Sequence, residues 1–129
     1  MNESAVVERY CRAMNAHDLD GLLDCFDPDY ESVEPVNPDR DIRGRDTVEE
    51  RWTSIFREVP DFSAEILRTA VAGDEVWNEW RWRGRRADDS EIDVRGVTIV
   101  GVRDDRIVWG RFFLEEVGRG GGGMRVEPI

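Results

Sequence analysis

The spacing of the apolar residues changes once along this chain, from the period of a helix to that of a strand. Before Pro60 a helical period predicts three helices, at residues 4–15, 19–26 and from 46 or 47 to 59. A short strand is predicted at residues 30–35, after Asp27-Pro28-Asp29 ends the second helix. After Pro60 alternation predicts four strands, at residues 62–72, 75–86, 91–102 and 106–117. Helices followed by antiparallel strands indicate an α+β domain.

A length of 129 residues predicts one domain with one core. We expect it to span residues 1–117, followed by a mobile glycine-rich tail at 118–129, because a glycine run cannot offset its ordering entropy. No apolar run reaches the roughly 18 residues of a membrane helix, so no membrane partner is expected. Cys11 and Cys25 are interpreted as small core residues in a reducing compartment, which predicts a cytoplasmic protein.

The charge of the chain is strongly negative. There are 29 acidic and 18 basic residues, for a net charge of -11, and every basic residue is arginine. Excess acid repels phosphate backbones, so no nucleic-acid partner is expected. The composition is typical of salt-accumulating organisms, although a high-GC genome also replaces lysine by arginine. The two cysteines and His17 are too few ligands for a metal, so we expect neither a metal nor a cofactor.

Three N-terminal segments carry a family resemblance: Ala5–Tyr10, Asn15–Leu22 and Glu31–Val36. Together they resemble the start of the Δ5-3-ketosteroid isomerases, members of the SnoaL-like (nuclear transport factor 2-like) superfamily. The resemblance implies a cone in which three N-terminal helices pack on a curved, mainly antiparallel sheet. It also implies that Tyr10 binds the substrate oxyanion and that Glu34 takes the place of the aspartate general base.

Each of these two residues has a second interpretation. If Glu34 points into the cone, burial raises its pKa and suits it to accept a proton, whereas at a solvated strand end it is an ordinary glutamate. Tyr10 is either an oxyanion donor or a core tyrosine bonded to a carbonyl. The resemblance assigns a further donor, a protonated aspartic acid, to the position of Val97. Because valine cannot donate, a steroid isomerase of full power is not expected.

The strand from Trp77 to Arg83 alternates, and the resemblance directs its Asn78, Trp80 and Trp82 into the cone. With residues from other elements they predict a flat aromatic site for a small apolar or aromatic ligand. The expected ligand-binding residues are Met14, Trp52, Phe56, Asn78, Trp80, Trp82, Val97 and Phe112. The alternative is that the indoles fill the cone. This fold also resembles the limonene epoxide hydrolases, which use an arginine and an aspartate two residues apart on this strand and an aspartate on the last strand. The matching positions here are Trp80, Trp82 and Phe112, so epoxide opening is excluded.

The opposite face of the predicted sheet carries large side chains, among them Trp77, Arg81 and Phe113. Aromatic and arginine side chains are typical of interfaces, which predicts a homodimer on this face. His17 is expected to be a solvated turn residue. The loop arginines over the cone mouth are expected to pair with neighbouring aspartates or to attract an anionic ligand; they are Arg40, Arg43 and Arg45.

Two functions remain open from the sequence. The first is an enzyme without cofactor, of isomerase, cyclase or dehydratase type, in which Glu34 abstracts a proton next to a carbonyl and Tyr10 binds the enolate oxygen. The second is a non-catalytic ligand-binding or accessory domain with the same cone. The Tyr10 and Glu34 pair favours the first, and the missing donor at Val97 favours the second.

Overall fold

The computed structural model describes residues 3–118 and contains three α-helices and six β-strands. The helices are α1 (Ser4–Ala16), α2 (Leu19–Leu23) and α3 (Arg45–Glu58). The strands are β1 (Phe26–Val33), β2 (Ile42–Arg43), β3 (Ser63–Ala72), β4 (Glu75–Arg85), β5 (Glu91–Arg103) and β6 (Arg106–Glu116), with a short 3-10 helix at Pro38–Arg40. The helices pack on a curved sheet, which confirms the predicted α+β class. The expected tail lies, from residue 119 onward, outside the described residues.

One six-stranded sheet forms, in the order β2-β1-β6-β5-β4-β3. Only β1 and β6 pair in parallel; the other neighbours are antiparallel. This parallel pair places β1 second in the sheet, between the short edge strand β2 and β6. Side chains of β1 therefore face the helices between those of β2 and β6.

The start of β1 differs from the prediction. Strand pairing begins at Phe26, and the second helix ends at Leu23 rather than at residue 26. A proline cannot donate to a sheet ladder, which made Asp27-Pro28-Asp29 resemble a helix stop. The register between β1 and β6 shifts between Phe26 and Glu31, so Pro28 lies in the irregular part of the ladder.

The connection between α1 and α2 is formed by His17 and Asp18. His17 ends α1 in the left-handed conformation, with φ of 53°, and the Asp18 carboxylate accepts a hydrogen bond from the Gly21 N–H at 3.0 Å. The His17 ring stacks on Phe56 with centroids 4.7 Å apart, and its Nε2 lies 2.9 Å from the Phe62 carbonyl oxygen. His17 is therefore a structural tie between α1, α3 and the start of β3, not the solvated turn residue that was expected.

The inner face of the sheet is determined by the register of β4 against β5. Asn78 lies opposite Thr98, and Trp80 lies opposite Gly96. Gly96 has φ of 149°, and a Cβ there would lie 1.9 Å from the Phe113 carbonyl oxygen, so only glycine fits. The Trp80 indole, on the strand beside Gly96, is almost completely buried.

None of the described helices is long and apolar enough to cross a membrane.

Candidate functional site

A cavity of about 320 Å³ lies between the helices and the inner face of the sheet. Its apolar wall consists of Tyr10, Phe26, Ile42, Val48, Trp52, Ile55, Trp82, Val94, Phe112 and Leu114. Its polar side consists of Tyr30, Ser32, Glu34, Arg40, Arg51, Glu115 and Glu116. The long strands and α3 supply most of the apolar residues, whereas the polar ones come from β1 and the segment after it, from Arg51 on α3 and from the end of β6. This arrangement suits a ligand with a large apolar surface and a polar edge.

Glu34 follows β1 and continues its inward alternation after Tyr30 and Ser32. Its side chain is 12% exposed, and its two carboxylate oxygens each face a different arginine. Oε1 lies 3.6 Å from Arg40 Nη1, and Oε2 lies 3.6 Å from Arg51 Nη1. Burial raises the pKa of Glu34 above its ordinary value, although both guanidinium groups oppose the rise. The result is a weakly hydrated carboxylate with positive charge on both sides.

Tyr10 projects from α1 into the aromatic wall. Its ring makes edge contacts with Phe26, Trp52 and Trp80, at centroid distances of 5.2, 6.0 and 6.0 Å. Burial raises the pKa of the Tyr10 hydroxyl well above its ordinary value, and the nearby Tyr30 adds to the effect. Tyr10 therefore stays neutral and is a hydrogen-bond donor in the same cavity as Glu34.

Trp52, Trp82 and Phe112 also line the cavity, as expected from the sequence. The Trp52 and Trp82 rings meet at 5.5 Å with an interplanar angle of 62°. The Trp82 Nε1–H is buried and has no hydrogen-bond partner among the described residues. A buried donor without a partner is uncommon in folded proteins.

Four other expected ligand-binding residues lie outside the lining, on the inner side of the fold. Met14 is fully buried in the core, and Phe56 stacks on His17. The Asn78 amide donates to Thr69 Oγ1 at 2.9 Å, while its Oδ1 has no partner among the described residues. The Trp80 indole N–H donates to Thr98 Oγ1 at 2.8 Å. Trp80 thus fills part of the cone, whereas Trp82 borders the space that remains.

Val97, expected on the inner face, lies on the outer face. It pairs with Glu79 on β4 and with Phe113 on β6, both of which point away from the helices. The inner position is the next residue, Thr98, because successive strand residues point to opposite faces. Its hydroxyl already accepts the hydrogen bond from Trp80. No acidic donor therefore stands at this position of β5.

Five polar residues of the cavity were not identified from the sequence: Tyr30, Ser32, Arg51, Glu115 and Glu116. Tyr30 and Ser32 precede Glu34 at two-residue spacing, which is the strand signal that predicts a shared face. Burial raises the pKa of Tyr30, while Ser32 and the Arg51 guanidinium oppose this, so all three groups lie close together. Arg51 falls on the helical stripe of Val48 and Ile55, three residues after one and four before the other.

The arginines of the loop form other contacts than expected. Arg40 pairs with Glu34 and also with Glu115, whose Oε1 lies 3.4 Å from its Nη1. The Asn37 amide contacts the same Glu115 oxygen. Arg43 faces Glu31 at 3.9 Å, and Arg45 donates to the Phe26 carbonyl at 3.4 Å. The expected pairing with neighbouring aspartates is therefore replaced by other contacts, of which only those of Arg40 lie at the cavity.

No group of three or more His, Cys, Asp or Glu side chains within residues 3–118 is arranged to hold a metal ion. The polar groups that line the cavity are a buried carboxylate, two exposed carboxylates, two phenols, a hydroxyl and two guanidinium groups. These can accept a proton and can bind an oxygen that gains negative charge.

Known structures share this fold. IdmH, a candidate polyketide cyclase from Streptomyces antibioticus, is 20% identical over 89% of this chain and 93% of its own, with a TM-score of 0.77. A candidate isomerase from Bacillus subtilis is 17% identical over 89% and 90%, with a TM-score of 0.78. A ketosteroid isomerase-like protein from Catenulispora acidiphila, solved in complex with trimethylamine, is 18% identical over 82% of each chain, with a TM-score of 0.72.

At these identities the structural matches establish the fold alone. A search of curated proteins found no significant match. The family model for the SnoaL-like domain matches residues 7–109, which is most of the chain. This match agrees with the helices on a curved sheet and with the interior cavity. The chain therefore belongs to the SnoaL-like domain family.

Proposed function

We propose that this protein binds a small, largely apolar, planar ligand in its cavity and transfers a proton next to a carbonyl group of that ligand. The observation that carries the proposal is that Tyr10 and Glu34 line the same aromatic cavity, with the Glu34 side chain only 12% exposed. A carboxylate that has lost most of its water is a stronger base than one in solution. Isomerisation, cyclisation and dehydration all begin with such a proton transfer.

In this reaction the Glu34 carboxylate accepts a proton from the carbon beside the carbonyl. The electrons of the broken C–H bond form a C=C bond, and the carbonyl oxygen takes the negative charge. The neutral Tyr10 hydroxyl donates a hydrogen bond to that oxygen, which strengthens as charge develops. The raised pKa of Glu34 brings its proton affinity closer to that of the enolate.

Structures of the same fold support this class of chemistry. One is a candidate polyketide cyclase and another is a candidate isomerase, and both reaction types depend on acid–base catalysis. The Catenulispora acidiphila protein was solved in complex with trimethylamine, which supports ligand binding by this fold. These likenesses are at the level of the fold, so the roles of Tyr10 and Glu34 rest on the geometry of the cavity.

A non-catalytic binding domain is the second candidate, and one observation favours it. Both oxygens of Glu34 face arginines, and Arg40 extends the chain of charges to Glu115. Such a network also stabilises a loop without any turnover. The absence of an acidic donor at Thr98 points the same way, because catalysis would then depend on fewer donors.

The two candidates differ in a measurement on defined probes. We expect 2-naphthol to bind and to quench tryptophan fluorescence, because Trp52 and Trp82 line the cavity. We expect the wild type to accelerate deuterium exchange from solvent into 2-tetralone. Glu34→Gln should keep naphthol binding and lose the exchange by about 100-fold or more. Tyr10→Phe should slow exchange by about 100-fold.

The matched control is Glu31→Gln, which removes an exposed carboxylate from β1, the strand that Glu34 follows. It should exchange at the wild-type rate. A wild type that binds naphthol without catalysing exchange leaves the binding domain as the function. Exchange by Glu34→Gln at the wild-type rate means that another group is the base.

We also propose that two copies of the chain associate through the outer face of the sheet. Trp77 is 44% exposed and Phe113 is 37% exposed, and β5, which lies between their strands, carries Val97 and Ile99 on the same face. The Arg111 guanidinium lies 6.0 Å from the centre of the Phe113 ring. An exposed aromatic and aliphatic surface with arginine at its edge fits a second copy of the same surface.

A further inference from the structure

Arg51 stands apart among the charged groups of the cavity. Its guanidinium projects from α3 into the cavity, and Nη2 donates to the Arg40 carbonyl oxygen at 3.2 Å. Its nearest carboxylate among the described residues is that of Glu34, at 3.6 Å, which is longer than an ordinary hydrogen bond. Arg51 is thus anchored at one nitrogen, while donors on its other nitrogens remain available.

Arg40 is less suited to bind a ligand. It comes from the 3-10 helix over the cavity mouth, and Glu115 offsets its charge at 3.4 Å. Glu115 is held in turn by Asn37. Arg51 has no such second carboxylate among the described residues. When Glu34 becomes neutral, the charge of Arg51 is therefore the one left without a counterion.

Proton transfer to Glu34 creates this situation. Before the transfer, the cavity holds a Glu34 carboxylate, an Arg51 cation and a neutral ketone. After it, the proton is on Glu34 and the negative charge is on the ligand oxygen, so the total charge is unchanged. Arg51 lies 3.6 Å from Glu34 and lines the same cavity as Tyr10, so the charge moves within a space that its guanidinium borders.

We propose that Arg51 is a catalytic residue whose guanidinium leaves the Glu34 carboxylate and binds the oxygen that becomes negative on the ligand. This inference rests on the proposed proton transfer. It provides the second oxyanion donor that β5 lacks, since Thr98, the inner residue of that strand, is not among the residues that line the cavity. A guanidinium presents several N–H donors in a plane and stays charged, so it can keep its anchor on the Arg40 carbonyl while it changes partner.

The first experiment measures anion binding without any turnover. Glu34→Gln represents the protonated base, and 2-naphtholate represents the enolate; its absorbance distinguishes it from neutral 2-naphthol. In the Glu34→Gln background, Arg51→Met should weaken naphtholate binding about tenfold to a hundredfold and neutral naphthol binding less than about twofold. Arg51→Lys keeps the charge and should recover part of the loss.

The control is Arg57→Met, which removes an exposed arginine from the same helix and changes the net charge equally. It should leave the preference for naphtholate intact. The proposal is overturned if adding Arg51→Met to Glu34→Gln changes the binding of neither naphtholate nor neutral naphthol. It is also overturned if Arg51→Met weakens the binding of both equally. A purely structural role predicts such an equal loss together with a lower melting temperature.

The second experiment separates this inference from the proposed function. In 2-tetralone exchange, Arg51→Met should lower kcat about tenfold or more with little change in KM. Exchange at the wild-type rate in Arg51→Met overturns the role of Arg51 and leaves the function of Glu34 intact. If the wild type catalyses no exchange but its preference for naphtholate depends on Arg51, the proposed proton transfer is wrong. Arg51 is then still the anion-binding group.

Discussion

The hydrogen bond between Trp80 and Thr98 offers a direct test of which residues face the interior. Both residues are nearly inaccessible to water, at 1% and 3% exposure, and the indole nitrogen lies 2.8 Å from the threonine hydroxyl. Thr98→Val keeps the shape of the side chain but removes the acceptor. The indole N–H would then remain buried without a partner.

The cost follows from this geometry. A buried donor that loses its only partner destabilises a protein by about 1–3 kcal/mol. For a domain of this length, each kcal/mol corresponds to roughly 3–5 °C in Tm. The matched change is Val97→Thr, one residue away on the outer face and half-buried. Its new hydroxyl can reach water, so it should cost less than about 1 kcal/mol.

Urea unfolding followed by far-UV circular dichroism measures both changes, at one protein concentration so that any association affects all variants alike. Trp80→Phe removes the donor, so Thr98→Val should cost about 1 kcal/mol less in that background. The same cost for Thr98→Val in both backgrounds refutes the hydrogen bond. A larger cost for Val97→Thr than for Thr98→Val refutes the register of β5.

Three further predictions concern charge and assembly. Burial raises the pKa of Glu34 above the ordinary glutamate pKa of 4.5. Between these two pKa values the folded protein retains a proton that the unfolded chain releases. The free energy of unfolding should therefore fall as the pH rises from 4.5 through the raised pKa. Glu34→Gln should remove this contribution to the pH dependence. If urea titrations show that the free energies of unfolding of wild type and Glu34→Gln differ by the same amount at every pH in this range, the burial argument is contradicted. With a net charge of -11, Tm should rise between low salt and molar potassium chloride because salt screens repulsion, and an equal Tm would count against this. Sedimentation at micromolar concentration should give a dimer that Trp77→Glu dissociates and the distant Val36→Glu does not; a wild-type monomer of 14.9 kDa would remove the proposed interface.

The sequence alone determined the order and type of the main elements. The change of apolar period near Pro60 separates the helices from the four long strands, and β3 to β6 begin and end within one residue of the predicted positions. Asp18 caps its helix as such a residue should. These features depend on neighbours in the chain, so local patterns are enough to predict them. The N-terminal segments were likewise enough to identify the superfamily.

Other features of the fold depended on pairing between distant segments. Pro28 resembles a helix stop, and it becomes part of a strand only because β6 pairs with the residues on both sides of it. Val97 and Thr98 differ by one position, and the choice of inner residue reverses when the register moves by one. The register is determined by contacts such as Trp80 opposite Gly96, which no local pattern contains.

The candidate site divides in the same way. Tyr10, Glu34, Trp52, Trp82 and Phe112 were identified from the sequence and line one cavity. Which charges surround Glu34 was decided only by the tertiary structure, which selects Arg51 from α3 and Arg40 from the loop rather than nearby partners. An ion pair forms where folding brings two opposite charges within a few ångströms. The strength of their interaction depends on how much water folding removes from around them. Neither quantity is encoded in the spacing of residues along the chain.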